Sequence, residues 1–229
     1  MKKTETPREH LLREYPLFGI VGCALIVVAV AIAGMIYRGG LGEPYSLLNH
    51  YVSELGRQGV SQGAWIFNAA MIASGVMFIP FVIGLGLRLG SRWGYAGMLA
   101  GIGAGAMCAG VGIFPMNHLV GHIFSAVWFF RLGLLTVSLF GIAILLQKKG
   151  EERIPKATAV ISLAAALAYA SFIVLGRLDE APGVTTLNPD IFARRPDFWL
   201  MPFLEWVVFF ATLLWFLAMG VASLGKKNK

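Results

Sequence analysis

The stretch "NHYVSELG" (residues 49–56) puts an amide, an imidazole, a phenol, a hydroxyl and a carboxylate within six residues. A second stretch, "FPMNHLVGH" (114–122), carries two histidines four apart, and "MPFLEW" (201–206) carries one carboxylate. These are the residue types of acid–base, nucleophilic and metal-assisted chemistry. A carboxylate or imidazole serves as base, a serine as nucleophile or oxyanion donor, and clustered histidines as metal ligands. If 47–56 is helical, His50, Ser53 and Glu54 share a face at i, i+3 and i+4. His118 and His122 stand i, i+4 on the next helix, with Pro115 ending the one before and Asn117 placed to cap. The candidate catalytic set is therefore Ser53, Glu54, His122 and Glu205. The candidate metal ligands are His50, His118 and His122, for which zinc is the natural ion. Each group also has a bland reading. Ser53 and Glu54 suit a polar helix face, the histidines suit bonds to nearby carbonyls, and Glu205 suits neutralisation of Arg194, Arg195 or Arg131.

The elements that must position these groups lie in a membrane. Of 229 residues, 57% are hydrophobic and 14% charged, where soluble domains carry about 25% charged. The apolar residues gather into runs long enough to cross about 30 Å of hydrocarbon as helix. Six spans are predicted, at 16–37, 64–87, 93–114, 120–147, 157–175 and 198–224. Residues 1–15 form an N-terminal tail, 16–225 a single membrane domain and 226–229 a basic tail. The expected fold is an all-α, six-helix membrane bundle with a short interfacial helix in the first outer loop. No cleaved signal peptide is expected, since fifteen largely polar residues precede the first apolar run. Cys23 and Cys108 fall inside apolar runs and read as small core residues, not as a disulfide.

The net charge of +7 does not indicate nucleic acid, because the basic residues flank the spans and form no stripe. Thirteen lysines and arginines fall on the side of the termini and five on the other, with Arg131 inside span four. The positive-inside rule then places both termini in the cytoplasm of a cell-membrane protein. "NHYVSELG", His118, His122 and Glu205 meet at the outer face, where a carboxylate is costly unless paired or facing a wet cavity. A charge such as Arg131 in mid-span is expected to face the bundle interior. Gly97, Gly101, Gly105 and Ala109 form a small-residue stripe that lets helices approach closely. No span contains a lysine, which excludes a retinal Schiff base.

"YSLLNHYVSELGRQGVSQGAWIFNAAMIASGVMF" followed by "GIFPMNHLVGHIFSAVWFF" resembles the bacterial and archaeal membrane family called domain of unknown function 998. The likeness is clearest at Ser53, Glu54, Leu55, Gly56, Phe67, Asn68, Phe114, Pro115 and His122, and extends over roughly residues 16–225. It implies a six-span bundle and no established activity. More distantly the pattern looks like a eukaryotic six-span group that includes GPI-lipid-remodelling factors and autophagy modulators, which by analogy directs attention to lipids.

Two classes of function fit. One is a hydrolase or transferase acting on a lipid or lipid-linked substrate at the outer leaflet. The other is a non-catalytic protein that binds lipid, transports a small molecule or docks a membrane partner. Transport would call for broken helices and an internal repeat; Pro80 interrupts span two, but no repeat is visible. Bis-histidine haem binding is a third reading, disfavoured because the histidines gather near one surface. Membrane lipids and a lipid-like small molecule are the expected partners.

Overall fold

The structure is a computed structural model that describes residues 6–178 and 195–224. Among the described residues there are six helices, α1 (Pro7–Ile36), α2 (Ala64–Leu89), α3 (Arg92–Ile113), α4 (Leu119–Leu145), α5 (Thr158–Leu178) and α6 (Leu200–Leu224), with one short 3₁₀ helix, Val52–Gly56, between α1 and α2. Each of the six is long and apolar enough to cross a membrane, and no strand occurs among the described residues. The chain is an all-α, six-span membrane protein.

Local chemistry sets most of the boundaries. α1 begins nine residues before the predicted start. Thr6 caps it, accepting from the Glu9 N–H at 3.3 Å while its own N–H donates to Glu9 Oε2 at 2.8 Å, and Pro7 fits the first turn. Pro16, expected to open the span, lies buried within the helix. α2 ends at Gly90 in the left-handed region (φ 59°), and Ser91 then caps α3 through its hydroxyl, 3.1 Å from the Gly94 N–H. A two-residue link forces α2 and α3 to run antiparallel side by side.

Consecutive helices are neighbours, and α1 closes the ring against α6. The small residues of α3 make the tightest seam. A Cβ added at Gly75 of α2 would sit 2.5 Å from the Ala109 nitrogen and 2.6 Å from the Gly105 oxygen. Gly101 faces Val82 of α2, and Gly97 faces Phe140 of α4. The predicted stripe therefore faces other helices, chiefly α2.

Arg131 departs from expectation. It lies exposed on the perimeter of α4, its guanidinium 5.5 Å from the centre of the Trp128 ring. The face of α4 turned inward carries Gly133, Thr136, Val137 and Phe140 instead. The side chain lies over a residue three positions earlier, the direction a helical side chain takes, and the indole face attracts the cation.

Alternating helix directions bring the 37–63 loop, the 114–118 turn and residues 195–199 to one end of the bundle. Four bonds to backbone groups hold them together. Trp199 N–H donates to the Leu48 carbonyl at 2.9 Å, and Asn49 Nδ2 to the Pro196 carbonyl at 2.8 Å. Asn117 does not cap α4; its amide clamps Gln58, accepting from the N–H at 2.7 Å and donating to the carbonyl at 2.9 Å.

Candidate functional site: a polar mouth on an apolar cavity

Residues 49–56 do not form a regular α-helix. A turn over 46–50 leads into the 3₁₀ helix Val52–Gly56, which packs mainly on α2 with α6 and α1 beside it. The free N–H groups at its start are taken by two carboxylates. Glu54 Oε1 accepts from Tyr51 N–H at 2.9 Å, and Glu205 Oε2 from Val52 N–H at 2.6 Å. The predicted common face of His50, Ser53 and Glu54 is consequently lost, and the three side chains enter three different environments.

Glu54 is fully buried and forms a bidentate pair with Arg195, Oε1 to Nη1 at 2.9 Å and Oε2 to Nη2 at 2.5 Å. Arg195 Nη1 also donates to the Asn49 carbonyl at 3.0 Å. The planar fork matches the carboxylate. Glu54 holds the 195–199 segment onto the 49–54 turn, and it does not line the cavity described below. Of the three arginines expected as partners for Glu205, Arg195 pairs with Glu54 instead and Arg131 lies on the perimeter of α4. Arg194 lies outside the described residues.

His50 is buried among Tyr37, Tyr45 and Trp206. Its ring centroid is 5.5 Å from Tyr37 and 5.0 Å from Tyr45, and the Trp206 indole N–H donates to its carbonyl at 3.1 Å. Its Nδ1 lies 2.7 Å from Asn49 Oδ1. The same nitrogen lies 3.4 Å from the Ser46 N–H. Burial, reinforced by the Arg195 charge, pushes the His50 pKa below its ordinary 6.5. His118 is exposed, and its carbonyl accepts the His122 N–H at 2.9 Å. The three histidines thus part company. Among the described residues no three His, Cys, Asp or Glu side chains gather as a metal site requires, so the expected His50–His118–His122 zinc set has no geometric support.

Ser53, His122 and Glu205 do converge. They line one cavity of about 70 Å³ that runs into the bundle between α1, α2, α3, α4 and α6. Its walls are otherwise chiefly apolar: Ile26, Phe67, Met71, Phe78, Val111, Ala126, Phe129, Phe130, Val208, Phe209 and Leu213. Polar groups deeper in the wall are satisfied by the protein. Ser74 donates to the Gly22 carbonyl at 2.8 Å, and Thr212 is bonded to the Val208 carbonyl and to the Tyr169 hydroxyl. The mouth differs. His122 Nδ1 lies 2.9 Å from the Phe114 carbonyl, which can only accept, so Nδ1 carries the proton and Nε2 keeps its lone pair. The Ser53 hydroxyl makes no protein hydrogen bond among the described residues, and Glu205 is partly accessible.

Three separated motifs close around this mouth. Asn68 Nδ2 donates to the Gly56 carbonyl at 2.9 Å, tying "SELG" to "FN". A Cβ on Gly56 would collide with Asn68 Oδ1 and come 2.8 Å from Phe67. Phe67 lines the cavity, and the Phe114 carbonyl orients His122. Phe67, Asn68 and Gly56, motif positions in the sequence, thus build the wall and its entrance.

No curated protein and no solved structure matches the chain. The family model described as "Protein of unknown function (DUF998)" matches residues 20–222, and with six apolar spans and its motif residues gathered at one mouth the chain belongs to that family.

Proposed function

We propose that this protein binds a lipid or lipid-linked molecule at the outer leaflet of the cell membrane, with the hydrocarbon chain in the cavity and the head at Ser53, His122 and Glu205. One observation carries the reading: an apolar cavity inside a membrane bundle has its unsatisfied polar groups at one end only. Burying a chain there removes apolar surface, and the polar mouth keeps the head near the interface. The distribution of lysine and arginine supports cytoplasmic termini, which turns the mouth outward.

A second reading, hydrolysis or group transfer on the same lipid, draws on the His122 Nε2 lone pair and the Ser53 hydroxyl sharing the cavity. His122 would act as base and Ser53 as nucleophile, with Glu205 orienting the substrate. The absence of a Ser53–His122 hydrogen bond favours binding as the primary statement.

Native mass spectrometry of protein taken from its own membrane tests the proposal. Lipid should co-purify with the wild type and be largely lost from Ala126→Trp, which fills the cavity. Undiminished lipid in a folded Ala126→Trp variant would overturn it.

A further inference from the structure

Arg131 carries a charge at the depth where hydrocarbon tolerates it least. It stands twelve residues after Leu119 and fourteen before Leu145 in α4, hence about 18 Å from one helix end and about 21 Å from the other. Half the hydrocarbon thickness is about 15 Å. Leaning back over Trp128 carries the guanidinium about one turn, or 5.4 Å, toward the outer end. Snorkelling serves arginines near helix ends and leaves this one short of either interface. Charged side chains in spans otherwise face the bundle interior or take a counter-charge. Arg131 lies on the perimeter, and among the described residues no ion pair engages it. The same face of α4 exposes Phe124, Trp128, Leu135 and Ile142, with the half-buried Ser138 between the last two. With Arg131 these residues step by four, three, four, three and four along the chain, the seam that keeps one helix against another at a shallow crossing angle. We infer that this face of α4 receives a membrane-spanning helix of another protein, bearing an aspartate or glutamate at mid-depth opposite Arg131.

Charge decides among the possible occupants. A second copy of the chain brings no carboxylate to this depth, because its twelve aspartates and glutamates stand in the segments between spans or toward the ends of spans. A symmetric pair across the seam would set Arg131 beside its own copy, two like charges in surroundings that screen poorly. A loop facing lipid here would leave its backbone groups unsatisfied. A lipid phosphate would have to be drawn about 10 Å below its own interface to meet the guanidinium. A carboxylate already carried at mid-depth on a helix needs no such distortion. It matches the planar fork of the guanidinium, and each charge relieves the cost of the other. The surface lies outside the bundle, so this inference does not depend on what the cavity holds.

The test places the full-length protein, with a donor dye on Gln58→Cys, in phosphatidylcholine vesicles. Acceptor-labelled, leucine-rich transmembrane peptides are added that differ only in carrying glutamate or leucine at the central position. Energy transfer should show the glutamate peptide binding about tenfold more tightly than the leucine peptide, the increment that one good polar contact supplies between membrane helices. Arg131→Leu should erase the difference, and Arg131→Lys, which keeps the charge, should retain part of it. No preference in the wild type, or a preference that survives Arg131→Leu, overturns the inference. Two results in the cell's own membrane would also overturn it. Oxidation of Leu135→Cys to a disulfide-linked dimer would give the face to a second copy. Anionic phospholipid held by the wild type and lost from Arg131→Leu in native mass spectrometry would give the charge to a lipid.

Discussion

Gly56 shows how narrowly one residue can be constrained here. The backbone at this position needs no left-handed conformation; the constraint is the space taken by Asn68 and Phe67. Gly56→Ala should therefore lower the melting temperature and reduce lipid co-purification together. A variant that changed neither would show that the contact between "SELG" and "FN" is dispensable. Glu54 belongs to the same scale. Removing one partner of a buried ion pair leaves the other uncompensated, at a cost of about 3–5 kcal/mol. Arg195→Ala should show a loss of that order in detergent unfolding, and Arg195→Lys a smaller one, because an ammonium cannot make the bidentate contact. His50 supplies a pH dependence. Its folded pKa lies below the ordinary 6.5, mainly through burial, so on acidification the unfolded chain takes up the proton first. Its contribution is complete above about 6.5 and falls as pH drops through and below that value toward the folded pKa. His50→Phe, which keeps a ring in the aromatic box, should flatten the stability profile below about pH 6.5; an unchanged slope would assign it to other groups.

Among the elements, α2 and α3 form the rigid half of the cavity wall. Their backbones approach so closely at Gly75, Gly105 and Ala109 that the obstacle to a new methyl is backbone, which cannot rotate away. Gly75→Ala should destabilise by about 1–3 kcal/mol through overpacking, read as a drop in melting temperature. α4 differs, because its mid-span charge is spent outside the bundle. Arg131→Leu removes no inward contact and exchanges a cation over Trp128 for an apolar group on the perimeter. That variant should melt no lower than wild type. A marked loss of stability would show Arg131 to be part of the internal framework.

For the whole molecule, the charge distribution and the position of the mouth make one joint expectation about orientation. Both native cysteines, Cys23 and Cys108, are buried, so single introduced cysteines report cleanly. In intact cells a membrane-impermeant maleimide should label Gln58→Cys beside the mouth and leave Lys149→Cys, in the loop between α4 and α5, unlabelled. The reverse pattern would turn the mouth to the cytoplasm and overturn the outer-leaflet assignment while leaving the cavity itself in place.

The sequence by itself determined the class, the number of spans and the close approach of α3 to its neighbours. These rest on properties that need no partner to read: the length of apolar runs against the thickness of hydrocarbon, and glycines spaced to one helix face. It also marked Ser53, His122 and Glu205, because polar groups at a membrane boundary stand out against apolar neighbours. Helix starts were not read: Thr6 and Glu9 carried α1 further than hydropathy suggested, and Asn117, expected to cap α4, clamps Gln58 instead. What each polar group does was decided only by tertiary structure. The period of residues 47–56 read as α-helical, but two carboxylates from different places bind the N–H groups at its start, and a tighter turn results. That shift sends His50 into an aromatic box, Glu54 to Arg195 and Ser53 to the cavity, and with it dissolves the histidine metal set. Arg195 is 141 residues from Glu54, and no local pattern announces a bond over that distance. The cavity has no sequence signature, because it is made of what five helices fail to fill when they pack.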